Sequence, residues 1–425
     1  MQNYDCIIIG AGPAGIMAAI GAAAKQSRVA IIEKNTYPGA KLRIAGGGRC
    51  NLSNAVPPSM MAAKFGSQKS FVKNALYAFD SNNVQEFFSS IERPTVIDEN
   101  NRIYPASMRG VDVVSALEQA ARSKAVDILL NTRLEAIVTK DGSVSGVRAS
   151  GNFVSTPVVI CASGGMTWPQ AGGSSETYDC IRPTGHTIVE PRCALAGLHI
   201  DNNPFRAFAG ISLDDCELSI AGAGRRSSRV RCRGELVITH KGLSGPVALD
   251  ISGEISRRLY SGGEVNIDIN FIPLFSEDRL AAQFNIWRKV SGGKLVKNVL
   301  SELLPQSLAG LLCNRCDNCG AIRMGDLGSK VQHALIQAMT SFPVRITSVD
   351  SKEKAMVTSG GVIRDEIDPR TMQSRRINGL YFCGEVIDVD GPCGGYNIHW
   401  ALASGYAAGN HAAAYAANTG TGENP

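Results

Sequence analysis

In the first fifty residues the apolar positions fall in short runs that end on glycines. Tyr4 to Ile9 is a short, β-branched run, as expected of a strand buried on both faces. Gly10, Gly12 and Gly15 follow it, and an alanine-rich stretch to Lys25 predicts a helix. Arg28 to Ile32 repeats the strand pattern and ends in Glu33. This order predicts a βαβ unit with parallel strands. Val158 to Ala162, running into Gly164-Gly165, and Leu380 to Phe382, running into Gly384-Glu385, predict two further buried strands.

Between these segments the pattern changes. Ala125 to Leu130, Ala136 to Thr139 and Gly146 to Ala149 predict short strands, with Asp141-Gly142 as the turn between the last two. From Pro191 to about Ile269 the chain predicts strands broken by Gly, Asn and Asp, and no helix. Helical candidates, Asp278 to Val290 among them, occupy about 276 to 340, and the strand–glycine pattern returns at Ala355. The expectation is an α/β chain in which one nucleotide-binding domain carries an inserted middle region.

The glycine spacing adds chemistry. Gly10 permits a tight turn, Gly12 lets the backbone approach a pyrophosphate, and Gly15 allows close helix–strand packing. With Pro13 and Ala14 they open a helix whose free amides and dipole favour phosphate. Glu33, 18 residues beyond Gly15 and followed by Lys34, can accept hydrogen bonds from ribose hydroxyls. An acid there disfavours a 2′-phosphate, so NADP is not expected in this position. A dinucleotide such as FAD is too long for one glycine loop, and Gly384-Glu385 supplies a second turn. FAD is therefore the expected cofactor. No second complete fingerprint exists, because Ser227 stands where a third glycine would follow Gly222 and Gly224. NAD(P)H is expected only as a transient electron donor.

Composition narrows the class without changing it. The 425 residues are 44% apolar and 19% charged, as in an ordinary soluble protein of more than one domain. Cys6 to Ala24 is uncharged, yet no basic residue precedes it and it holds Gly and Pro at turn positions, so no membrane anchor is expected. Twelve cysteines without a secretory signal suggest reduced thiols in a cytoplasm. Cys313, Cys316 and Cys319 have the spacing that opens an iron–sulfur run but lack the fourth cysteine, and no metal is expected. The net charge of +5 is partly gathered in Arg225, Arg226, Arg229, Arg231 and Arg233. Their alternation reads as the solvated face of a sheet, and no aromatic residue interleaves them, so nucleic acid is not the expected partner.

The chain resembles the bacterial YhiN/BaiN-type flavoproteins, also known as the aminoacetone-oxidase family. The matching pieces are Gly46-Gly47-Gly48-Arg49-Cys50-Asn51-Leu52-Ser53-Asn54, the loop from Thr239 to Pro246, and Val357 to Val362. Glu366 to Pro369, Gly384 to Gly391 and Gly394-Gly395-Tyr396-Asn397 complete the series. The resemblance implies a Rossmann-like FAD-binding domain, discontinuous over 1–191 and 346–425. It also implies an inserted β-rich domain over 192–275 and a small helical domain over 276–345. One departure stands out: Thr167-Trp168-Pro169 and Gly173 to Tyr178 replace a Ser-Tyr-Pro turn and a Gly-Ser-Thr-Gly-Asp-Gly loop.

The resemblance and the residues together give the expected site. Gly10, Gly12, Pro13, Ala14, Gly15, Glu33, Lys34, Gly164, Gly384, Glu385 and Asp388 are expected along the adenosine, pyrophosphate and ribityl parts of FAD. Arg49, Cys50, Asn51, Gly394, Gly395, Tyr396 and Asn397 are expected near the flavin, with Asn397 opening and capping the last helix. Cys50 has no partner cysteine at redox spacing, so a packing role is favoured over a redox one. His240 and Tyr396 are the candidate proton donors, each also readable as structural. The activity implied is an oxidoreductase acting on a small organic substrate, by enone (C=C) reduction or amine-type oxidation. The alternative is a flavoprotein that acts on RNA or serves as a binding partner.

Overall fold

Five short strands carry the nucleotide-binding part of the chain. In the computed structural model, which describes residues 3–23, 27–220 and 230–420, they form one sheet. The order is Leu380–Phe382, Val159–Cys161, Cys6–Ile9, Val29–Ile32 and Asp127–Leu129. Every pairing is parallel. The four-residue strands Cys6–Ile9 and Val29–Ile32 are buried throughout, which is why their sequences run apolar without alternation. The first two strands are joined by the helix Pro13–Ala22. Their neighbours come from the middle and the far end of the chain, so the sheet is assembled across the whole sequence.

The carboxy-terminal helix Tyr396–Gly420 packs on Pro13–Ala22. Small residues let the two backbones touch. A side chain at Gly405 would strike the backbone of Ala14, and one at Gly409 the backbone of Ala18. Interaxial distance depends on the side chains at the contact, and here there is almost nothing between the helices. A separate hairpin joins Leu134–Lys140 to Ser143–Ala149. Asp141 and Gly142 form its turn with φ of 50° and 73°, the paired positive values that a twisted two-residue hairpin loop needs.

The chain divides into two compact units, Met1–Arg192 with Lys352–Pro425, and Cys193–Ser351. The second unit is built on a closed antiparallel barrel. Its strands run in the order Leu198–Ile200, Gly242–Ser244, Val230–Ile238, Ser212–Ile220, Val265–Asn270 and Phe342–Val349. The helices Glu277–Val290, Gln306–Arg315 and Ser329–Thr340 lie in sequence between the last two of these strands. They share one apolar cluster with the barrel interior.

One expectation is corrected here. The stretch read as strands to Ile269 contains a helix, Pro246–Tyr260. Pro246 sits at its first turn, where a missing amide costs nothing, and Val247, Ile251 and Ile255 recur every fourth residue on the buried face. The surrounding glycines and strands masked that period. Arg231 and Arg233 lie exposed on the strand Val230–Ile238, while Arg225, Arg226, Arg229, Gly222, Gly224 and Ser227 fall outside the described residues. Cys313, Cys316 and Cys319 are buried in the apolar cluster of the second unit. Among the described residues no three His, Cys, Asp or Glu side chains are placed to hold a metal. No described helix is long and apolar enough to cross a membrane.

Candidate active site

The glycine loop is tightly made on one side and open on the other. Gly10 has φ of 100°, and its amide donates to the Ile32 carbonyl at 2.8 Å, tying the turn to the second strand. A side chain at Gly15 would strike the Gly10 carbonyl. Gly12 caps the helix without any side-chain hydrogen bond, and a Cβ there would meet nothing within 4 Å. The first turn of the helix therefore has open space beside Gly12. Beside it stands Glu33, only 8% exposed. Its Oε2 accepts the Ala11 amide and its Oε1 the Asn35 amide, both at 2.8 Å. Lys34 is turned toward Glu176, 3.8 Å away.

The second turn meets the first. Gly384, with φ of 73°, leaves no room for a side chain against Ala14 of the first helix. Its amide donates to Ser404 Oγ at 2.9 Å, and its carbonyl accepts from Trp400 Nε1 at 3.3 Å, so the last helix holds the turn in place. Glu385 is engaged on both oxygens. Lys41 Nζ reaches them at 3.0 and 2.9 Å, and the Thr358 amide donates to Oε1 at 2.7 Å. Thr167 Oγ1 receives the same lysine at 2.7 Å. Gly165 lies packed against Thr358 and Glu385, whereas Gly164, with φ of 75°, is open. Asp388 accepts the Gly360 amide at 3.1 Å and lies 3.8 Å from Arg364. Sequence reasoning did not single out Lys41, Thr167 or Thr358 as site residues, although Thr358 lies within Val357 to Val362 and Thr167 opens the departing turn.

The remaining expected flavin residues also converge. Gly46, Gly47 and Gly48 all have positive φ, which three successive side chains would resist. Arg49 is exposed and lies 5.8 Å from the Tyr104 ring centre. Cys50 is fully buried, and burial pushes its thiol up to about 12, which suits packing and not redox attack. The Asn51 side-chain nitrogen donates to the Ser53 carbonyl at 2.8 Å, and its oxygen accepts the Gly395 amide at 3.2 Å. Asn54 Nδ2 reaches the Gly394 carbonyl at 3.4 Å. Ser53 Oγ meets His399 Nδ1 at 2.6 Å. Three consecutive contacts thus clasp the loop at 51–54 to the turn at 394–399.

Asn397 differs from its expected role. The helix starts one residue earlier, at Tyr396, and the Asn397 amide bridges Gly391 instead. Its Oδ1 accepts the Gly391 amide and its Nδ2 donates to the Gly391 carbonyl, each at 2.8 Å. It closes the turn that delivers the chain to the helix. Tyr396 is 5% exposed, with its ring edge-on to Phe65. His240 lies in the second unit, exposed on the loop after Val230–Ile238, where its carbonyl accepts Asn203 Nδ2 at 3.2 Å. In the departing loop Trp168 takes φ of 59°, an unusual value for a bulky residue.

These residues fit a dinucleotide. The backbone is open at Gly12, Gly47 and Gly164, the first helix has an uncapped amino end, and a buried carboxylate closes the second strand. The fold and this arrangement define an FAD-dependent oxidoreductase. The chain belongs to the HI0933-like family, whose Rossmann-domain model matches residues 4–411. A 3-dehydro-bile acid delta(4,6)-reductase of Clostridium scindens is 32% identical over 413 residues, covering 96% of this chain and 98% of that protein. A ribosomal RNA dihydrouridine synthase of Escherichia coli is 29% identical over 413 residues, covering 96% and 97%. Among solved structures, the 3-ketosteroid delta1-dehydrogenase of Sterolibacterium denitrificans has the same fold, with a TM-score of 0.52 at 14% identity. That match covers 97% of this chain and 100% of the dehydrogenase.

Proposed function

We propose that this chain reduces a carbon–carbon double bond conjugated to a carbonyl in a small organic substrate, with NAD(P)H as the electron donor. The observation that carries the reading is the clasp between residues 51–54 and 394–399, built in the same unit as the open glycine cradle. The cradle would hold FAD through Gly10, Gly12, Pro13, Ala14 and Gly15 at the pyrophosphate, with Glu33 and Lys34 at the adenosine ribose. Gly164, Gly384 and Glu385, backed by Asp388, would serve the ribityl chain. Arg49, Cys50, Asn51, Gly394, Gly395, Tyr396 and Asn397 would shape the flavin end. Bound FAD supplies the hydride transfer, and the protein supplies orientation and electrostatics. The start of Tyr396–Gly420 offers free amides and a positive helix end to charge developing on the ring.

The relatives' names support the direction. A delta(4,6)-reductase and a dihydrouridine synthase each add two hydrogens across a carbon–carbon double bond, and neither name refers to amine oxidation. The Escherichia coli relative also favours a second reading, the same reduction on a uracil ring of RNA. Against that reading, two of the five clustered arginines already face acids. Arg231 lies 3.2 Å from Glu217, and Arg233 lies 2.6 Å from Asp215. A test is to reduce the flavin anaerobically with NAD(P)H, then mix it with cyclic enones or with uridine-containing ribosomal RNA transcripts. Rapid reoxidation by an enone, with a product two hydrogens heavier, is the expected result. Reoxidation by RNA alone, with steep salt dependence, would replace the first reading by the second.

A further inference from the structure

We propose that Asp390 is the proton donor in the C=C reduction. This rests on the reduction reading above and deepens it by naming the acid. Asp390 stands at the head of the turn that Asn397 closes, next to Gly391. One of its oxygens is fixed: Oδ1 accepts from Ser359 Oγ at 3.0 Å and from Gln68 Nε2 at 3.3 Å. The Asp390 amide in turn donates to Gln68 Oε1 at 3.1 Å, so the side chain of Gln68 brackets the residue. The other oxygen, Oδ2, has no hydrogen-bond partner among the described residues, and the residue as a whole is half-buried. A carboxyl held by one oxygen and free at the other has the geometry of a positioned acid.

Its surroundings keep the proton on. Burial is the largest influence and raises the carboxyl above the ordinary aspartate range, and the neighbouring Asp388 acts in the same direction. Gln68, Ser359 and Arg192 pull the other way. Tyr396 buries its ring against Phe65, and His240 is exposed in the second unit. Bound, reduced FAD would supply the hydride to the carbon β to the carbonyl. The O–H bond of Asp390 breaks as a C–H bond forms at the α carbon. Its electrons stay on the carboxylate, which regains a proton from water before the next turnover.

The test uses FAD-loaded protein and two readouts. Difference infrared spectroscopy should show a protonated carboxyl that titrates above the usual aspartate range and is lost in Asp390→Asn. Stopped-flow reoxidation by enone, normalised to reoxidation by dioxygen, should fall as pH rises through that titration. Asp390→Asn should lose this limb and slow the enone step roughly 100-fold, the scale of a lost general acid. Asparagine keeps the oxygen that Ser359 and Gln68 bind, so the turn should hold. Ser359→Ala removes one donor to the carboxylate and should move the limb to higher pH, which a merely structural Asp390 would not produce. An unshifted limb in Ser359→Ala, or one that survives Asp390→Asn and disappears in His240→Ala, would overturn the proposal. Wild-type protein inert to every enone while its infrared band still titrates would sink the reduction reading, and the donor role with it.

Discussion

Ser53 and His399, 346 residues apart in the chain, meet at 2.6 Å between Oγ and Nδ1. The other ring nitrogen lies 2.8 Å from the Phe79 carbonyl, which only accepts, so that nitrogen carries the hydrogen and Nδ1 accepts from the serine. Burial holds the ring neutral and pulls its pKa from 6.5 down to about 4. The unfolded chain thus takes a proton that the folded chain refuses. Stability from this site is intact above about pH 6.5 and is lost as pH falls toward 4. His186, also pulled down to about 4, acts with the same sign. We expect His399 alone to cost about 2 kcal/mol between pH 6.5 and 5. Urea unfolding at both pH values checks this, and His399→Gln should remove this share of the difference while the share of His186 remains.

Gly12 and Gly15 should fail in different ways. A side chain at Gly12 meets nothing in the protein, at a φ of −78° that any residue adopts. Gly12→Val should therefore keep the fold within about 1 kcal/mol while losing FAD almost wholly. Gly15→Val collides with the Gly10 carbonyl and should destabilise the protein whether or not FAD is added. Thermal unfolding with and without FAD separates the two. Normal FAD content in Gly12→Val would place the pyrophosphate elsewhere.

Glu33→Ala should weaken FAD about tenfold to a hundredfold, the scale of one charge-assisted hydrogen bond. The structure adds a second effect, because the Ala11 and Asn35 amides lose their acceptor. Glu33→Gln keeps an oxygen for one of them. It should recover part of the stability but little of the affinity, as isothermal titration of the apoprotein would read.

Cys50 should resist alkylation at pH 8 in the folded protein. Its thiol is buried and pushed up to about 12, so almost no thiolate is present. Mass spectrometry after iodoacetamide should find it labelled only in urea. Rapid labelling of the native, FAD-loaded protein would return it to the redox candidates.

Local chemistry made the parallel strands and the glycine loop legible. A run such as Cys6-Ile7-Ile8-Ile9 has one physical solution when glycines and a helix follow. The acid at Glu33 was legible for the same reason. The helix Pro246–Tyr260 was not, because its four-residue period sits among strands and glycines that dominate any short window. Nor was the Lys41–Glu385 pair, whose members are 344 residues apart. Asn397 shows the limit within a motif: its residue type suited a cap, but only the folded turn reveals that Gly391 is its partner.

The contact of Pro13–Ala22 with Tyr396–Gly420 has a consequence for biosynthesis. The first helix leaves the ribosome long before the surface around Gly405 and Gly409 that covers Ala14 and Ala18. At roughly 5–20 residues per second the interval lasts tens of seconds. Throughout it the nascent sheet lacks Leu380–Phe382 beside Val159–Cys161, and an apolar helix face stays bare. Chains released before about residue 400 would carry a complete glycine loop with nothing to close it, and such fragments should be captured by chaperones or proteases instead of accumulating as partial flavoproteins.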